Sequence, residues 1–178
     1  KYMFIDYFEG AAIAEEKRKK LNLDFVDDIY DINDICATIR NHKQRNPNLA
    51  IVAIDYAQLI QDKTLKGPTL YTRLESASNK LQQLKDLNIL IVVLSQIDKE
   101  SLRTNSKGDG GKLSHSNLKG GSLSESCSYC IILQTETPAD GVVLKKKSVK
   151  MGLTKNRHGS AMSVDTVFTG NHRSFREV

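Results

Sequence analysis

Two uninterrupted apolar runs constrain this chain more than anything else in it. They are Leu49 to Ile54, closed by Asp55, and Ile89 to Leu94, closed by Ser95 and Gln96. Each is strand-length, and a strand that is apolar at every position is expected to be buried on both faces, as in a parallel sheet sandwiched by helices. Between them, Leu70, Leu74, Ala77, Leu81, Leu84 and Leu87 recur at helical spacing and predict a long amphipathic helix. Strand, crossover helix and strand of this kind point to an α/β domain of three layers.

The flanking segments extend the alternation. Tyr2 to Phe8 reads as a strand and Ala11 to Leu21 as a helix with a charged face. Phe25 and Val26 read as the start of a short strand ending on Asp27 and Asp28. Asp31 is placed to cap a helix carrying Ile32, Ile35, Cys36 and Ile39, which Asn46-Pro47-Asn48 ends. Asp98 to Asn117 is polar and glycine-containing and reads as a long loop. From Tyr129 onward short strands dominate: Ile131 to Gln134, Val142 to Leu144, Val149 to Thr154 and Ser163 to Phe168. They read as hairpins extending the sheet.

Composition narrows the class only a little. With 39% apolar and 26% charged residues in a chain of 178, the balance is that of an ordinary globular domain. No apolar run approaches the roughly 20 residues of a membrane-spanning helix, and the opening from Lys1 has no signal-peptide pattern. A net charge of +5 leans weakly toward a polyanionic partner. Three cysteines, Cys36, Cys127 and Cys130, are an odd number and suit a reducing compartment. Cys127 and Cys130 form a lone CxxC with no matching pair of ligands, so small residues packing at a helix-to-strand junction is the favoured reading.

The candidate chemistry lies at strand ends. A carboxylate closing a buried parallel strand stands at the carboxyl edge of the sheet, where open α/β folds bind ligands. Asp55 is so placed and could orient a magnesium ion through water, although an Asp in a turn or helix cap is as common there. Gln96 ends the neighbouring run and could hydrogen-bond a terminal phosphate. Glu9 ends the first strand and could act as a general base, or stand solvated at a strand–helix junction. Lys155 and Arg157 alternate along one strand and so share a face, an arrangement that suits an anion lying between them; a solvated hairpin tip is the plain alternative.

Together these residues resemble a known family. Glu9, Asp55-Tyr56-Ala57-Gln58-Leu59, Leu94-Ser95-Gln96 and Lys155-Asn156-Arg157-His158-Gly159 follow the order and approximate spacing of DnaB-type replicative helicases. Val26-Asp27-Asp28, Arg45-Asn46-Pro47-Asn48-Leu49, Leu118-Lys119-Gly120-Gly121-Ser122 and the tail from Phe168 to Phe175 are similar to that family as well. The resemblance implies a single RecA-like ATPase domain over residues 1–178, with a mostly parallel sheet and a C-terminal β-hairpin extension. It implies ATP and Mg2+ as cofactors, with Glu9 as catalytic base, Asp55 as the magnesium-orienting carboxylate and Gln96 as γ-phosphate sensor. Lys155 and Arg157 would form a finger reaching the neighbouring subunit's nucleotide, and that finger implies a ring, normally a hexamer. Single-stranded DNA is the implied track, held by loop cations among Lys63, Lys66, Arg103, Lys107, Lys112 and Lys119, with a primase or helicase loader as further candidate partners. A cytoplasmic setting in a bacterial or phage-infected cell is implied, with an organellar relative as the alternative.

The sequence departs from that family in one important way. It contains no GxxxxGK[ST] loop; Gly110-Gly111-Lys112-Leu113-Ser114 has Leu after the lysine and Ser106 where the first glycine belongs. In the family this loop precedes the strand carrying Glu9, so a chain starting at Lys1 is expected to lack the phosphate-binding strand and helix and to be inactive by itself. Two alternatives stay open: a non-catalytic RecA-like ring subunit or regulator, and another RecA-like ATPase such as a recombinase.

Overall fold

The structure is a computed structural model that describes residues 23–97, 122–135, 146–170 and 174–178. The strand expected at Tyr2 to Phe8, the helix at Ala11 to Leu21, the loop after Asp98 and the strand at Val142 to Leu144 lie outside these residues. The chain forms two units. The larger runs through Ile29–Ile132 and Leu153–Met162, and the smaller includes Leu133–Gly152 and Ser163–Val178.

The first helix of the larger unit begins where the sequence predicts. Helix α1 spans Ile32–Arg45, and Asp31 caps it by accepting from the backbone N–H of Asn33. At its other end Lys43 donates to the carbonyls of Pro47 and Leu49 at 2.7 and 2.8 Å, tying the helix to the turn that follows. Strand β1, Ile51–Ile54, comes next, then a 3-10 turn over Ala57–Leu59. Helix α2 spans Leu70–Gln82, with Thr69 capping it through the N–H of Thr72. A second 3-10 turn, Lys85–Leu87, leads through Asn88 into strand β2, Leu90–Val93. Asn88 has φ of 50°, a left-handed conformation that Asn tolerates better than most residues. The amphipathic run through Leu87 is therefore two elements: helix to Gln82, then the turn.

Strands β1 and β2 pair in parallel, with Ile51 opposite Leu90 and Ile54 opposite Val93. One face of this pair packs on both helices. Val52, Ile54, Ile91 and Val93 lie against a core of Ile32, Cys36, Ile39, Ile60, Ala77, Leu81 and Leu84. On the other face Ile51, Leu90, Val92 and Leu94 are exposed, so the described residues cover one side of strands whose composition suits burial on two. Phe25 and Val26 form no strand and are exposed; two apolar residues before a run of aspartates are too few to hold a ladder.

A short helix α3, Ser122–Ser126, precedes a four-stranded sheet of β3 (Tyr129–Thr135), β4 (Lys146–Asn156), β5 (Met162–Thr169) and β6 (Ser174–Glu177), ordered as in the sequence. In the smaller unit β5 and β6 are antiparallel, and the Phe168 and Phe175 rings face each other at 4.9 Å, closing the hairpin. Thr166 is buried and donates to the Val149 carbonyl at 2.7 Å. Among the described residues no helix is long and apolar enough to cross a membrane.

Candidate nucleotide and nucleic-acid site

The parallel pair delivers Asp55 and Gln96 to one edge. The ladder continues one step past the strands, as Leu94 donates to the Ile54 carbonyl at 3.0 Å. The chain then turns at the cis Asp55–Tyr56 peptide, and Ala57 donates back to the Leu94 carbonyl at 2.8 Å. Asp55 thus stands beside Leu94, with Gln96 two residues beyond. Both residues are exposed, and neither side chain has a hydrogen-bond or ion-pair partner among the described residues. A lone exposed carboxylate suits contact with a magnesium ion through its waters better than direct ligation. No group of three His, Cys, Asp or Glu side chains among the described residues could hold a metal directly.

The segment after β1 is fastened at two buried carboxylates that sequence reasoning did not single out for this role. Asp31 caps α1 with one oxygen and with the other accepts the backbone N–H of Lys63 at 2.8 Å. Burial works against its ionisation, but the N–H groups of Lys63 and Asn33 outweigh that and hold its carboxyl below the ordinary carboxylate value. Asp62 is 4% exposed and accepts from Lys80 at 2.8 Å, Ser76 at 2.5 Å and both the N–H and hydroxyl of Thr64. Burial again opposes ionisation, and these donors, Lys80 foremost, reverse the effect and hold the group far below the usual range. Between these anchors and Gly67, Lys63 and Lys66 are exposed. Helix α2 therefore carries Ser76 and Lys80 to one end of this cationic segment. The signal for Asp62 in the sequence was faint: one Asp within a polar stretch, with its partners 14 and 18 residues on.

Lys155, in β4, and Arg157, in the turn just beyond the end of that strand, both lie against α3. Lys155 donates to the carbonyls of Ser124 and Glu125 at 2.6 and 2.7 Å, and Arg157 donates to the Glu125 carbonyl at 3.1 Å. Both cations thus rest on carbonyls of α3, oxygen acceptors that ease the repulsion between two neighbouring positive charges. Helix α3 is itself held to α2, where Gln82 donates to the Ser126 carbonyl at 3.1 Å. No hydrogen bond or ion pair among the described residues joins Lys155 or Arg157 to Asp55 or Gln96. Glu9, Arg103, Lys107, Lys112 and Lys119 lie outside the described residues.

The three cysteines are free thiols. Cys127 follows α3 and donates to the Ser124 carbonyl at 3.3 Å, while Cys130 is buried in β3. Hydrogen bonding to Cys130, together with burial, pushes the Cys127 thiol well above its ordinary value, and the two cysteines pack at the helix-to-strand junction.

Comparison with known proteins identifies the fold and the family. The fold is that of RecA-like helicase ATPase domains. One solved structure, an "ATPase Domain", superposes with a TM-score of 0.79 at 20% identity, covering 98% of this chain and 61% of that one. "The Structure Of A DnaB-Like Replicative Helicase And Its Interactions With Primase" superposes with a TM-score of 0.77 at 19% identity, covering 98% of this chain and 42% of that one. The chain thus spans less than two thirds of either protein. The model of the DnaB-like helicase C terminal domain matches residues 7–177, and the chain belongs to that family. Comparison with curated protein sequences gives no match.

Proposed function

We propose that this chain is a motor domain of an ATP-driven ring helicase that moves along single-stranded DNA and unwinds duplex during replication. The observation that carries the reading is the pair Asp55 and Gln96, two polar side chains without partners among the described residues, set on adjacent parallel strands at one sheet edge. Their roles follow from their chemistry. Asp55 would hold the waters of a bound Mg2+, and Gln96 would hydrogen-bond the γ-phosphate of ATP and so distinguish ATP from ADP. The chemistry supplied when Mg2+ is bound would be neutralisation of the nucleotide's phosphate charge. Glu9 takes the proton from the attacking water.

Lys155 and Arg157 complete a neighbouring subunit's site, which makes a ring, hexameric in this reading, the working unit. Lys63 and Lys66, exposed on a segment anchored at its root by Asp31 and Asp62, contact DNA phosphates without regard to sequence. Arg103, Lys107, Lys112 and Lys119 are further candidates for the same contact. A primase or helicase loader is a candidate partner of the intact protein, and a cytoplasmic setting fits this work. ATP hydrolysis by the intact protein, with and without single-stranded DNA, tests the reading. DNA is expected to stimulate turnover, and Asp55→Asn to lower it about 10- to 100-fold, the usual cost of losing an outer-sphere metal contact. Turnover indifferent to DNA and to Asp55→Asn would refute it.

A further inference from the structure

We propose that Gln58 is the positioning residue for Gln96, an inference that rests on the nucleotide-sensing role given to Gln96 above. The β1–β2 ladder ends abruptly. Once the chain turns away at Asp55 and Tyr56, β1 offers no further backbone partner, and the Leu94 carbonyl is the last ladder atom to be taken. Ser95 and Gln96 lie beyond it, between the end of this ladder and the bridged Ile97. The Gln58 side chain fills that place. Its amide nitrogen donates to the Ser95 hydroxyl at 2.9 Å and, more loosely, to the Gln96 carbonyl at 3.5 Å. Its amide oxygen accepts from the Gln96 backbone N–H at 3.4 Å.

A primary amide carries the same donor and acceptor as a peptide unit, so Gln58 extends the ladder by one position with a side chain. Its own backbone is fixed within the 3-10 turn whose first residue, Ala57, is fully buried and bonded to Leu94. Both polar backbone atoms of Gln96 are therefore referenced to the strand that carries Asp55, while the Gln96 side chain is left exposed. Sensor and magnesium carboxylate keep one relative position because Gln58 spans them. The residue touches neither nucleotide nor metal and acts through Gln96.

The test uses the intact protein and the ratio of its affinities for a slowly hydrolysed ATP analogue and for ADP. Gln58→Met keeps the length and volume of the side chain and removes these hydrogen bonds to Ser95 and Gln96. It is expected to lower the ratio about tenfold, as the loss of one or two net hydrogen bonds would, with the melting temperature little changed. Gln58→Glu keeps the acceptor for the Gln96 N–H and loses the donor, and is expected to fall between wild type and Gln58→Met. Should the Met variant fold poorly, Ser95→Ala removes the partner at 2.9 Å and is expected to shift the ratio in the same direction by less. A space-filling role for Gln58 predicts an unchanged ratio in Gln58→Met, and that result overturns the proposal. Gln96→Ala separates the two levels. If it leaves the ratio intact, the sensing role fails and the positioning role falls with it; if it lowers the ratio while Gln58→Met does not, only the positioning role fails.

Discussion

The Asp62 carboxylate, with 1% of its side chain exposed, meets the Lys80 ammonium at 2.8 Å and so joins the segment after β1 to the C-terminal half of helix α2. The pair is asymmetric, since Lys80 keeps 24% of its side chain in solvent while Asp62 depends wholly on protein donors. Asp62→Asn is expected to cost about 3 kcal/mol, the lower end for a broken buried pair, because water can reach the abandoned ammonium. Lys80→Met leaves the carboxylate buried with only Ser76 and Thr64 and is expected to cost at least as much. Urea unfolding of the two single variants and the double variant gives the coupling between them; purely additive losses would mean that the pair contributes nothing of its own.

Asp31 and Asp62 both have carboxyls held below their ordinary values in the folded chain. Such groups bind fewer protons folded than unfolded, so their contribution is fully present above the unfolded value of about 4. It is lost as pH falls below that and through the folded value. Wild-type stability is therefore expected to decline from about pH 5 downward. The decline should be shallower in Asp62→Asn, which starts from a lower plateau. Equal slopes for the two proteins in urea titrations between about pH 5 and pH 3 would contradict this.

Asp31 serves two backbone donors with two oxygens, so its substitutions separate the functions. Asp31→Asn retains a cap for α1 and is expected to cost little there, whereas Asp31→Ala should cost about 1–2 kcal/mol for the cap alone. Because an amide offers one oxygen where the carboxylate offers two, Asp31→Asn keeps the cap but loses the acceptor for the Lys63 N–H, so hydrogen exchange at that amide should speed in both variants while only Asp31→Ala loses the cap.

If Lys155 and Arg157 act across a subunit boundary, two inactive variants should repair each other. Arg157→Ala alone is expected to lower turnover by roughly 10^3-fold or more, as for arginine fingers in general, while nucleotide binding persists. Asp55→Asn disables the other side of the interface. Rings assembled from both variants contain interfaces in which Asp55 and Arg157 are both intact, so turnover should reappear on mixing. A mixture no more active than its parts, with subunit exchange verified, would place the finger within its own chain.

Lys63 and Lys66 offer a measurement that needs no turnover. If each neutralises one phosphate, replacing either with Ala should reduce the slope of log affinity against log salt by about 0.7 for single-stranded DNA. An unchanged slope in the double variant would remove the segment from the DNA path.

Much of this architecture was legible because it depends on short-range pattern. Apolar runs marked β1 and β2, and Asp31 marked the start of α1. Three features were not legible, for physical reasons. Asp62 acquires its meaning from Ser76 and Lys80, which reach it only because α2 folds back over the segment after β1. Gln58 was visible as one letter of a motif, but its contacts lie 37 and 38 residues away, on a neighbouring strand. The docking of Lys155 and Arg157 on backbone carbonyls involves no acceptor side chain, and so leaves no trace in residue type. Motif reading singled out candidate ligand-binding groups; it could not locate the groups that hold them in place.

The bend that carries Arg157 is bound within itself. Asn156 donates to the Ser160 carbonyl and accepts the His158 N–H, so that one side chain closes the whole turn. Gly159 passes so close that a Cβ there would lie 3.1 Å from the Asn156 amide nitrogen, which keeps the turn tight. Rotational freedom that a loose loop would surrender on meeting an anion has here been surrendered already, during folding. If Arg157 meets a negative group as proposed, little conformational entropy remains to be lost in the backbone that presents it.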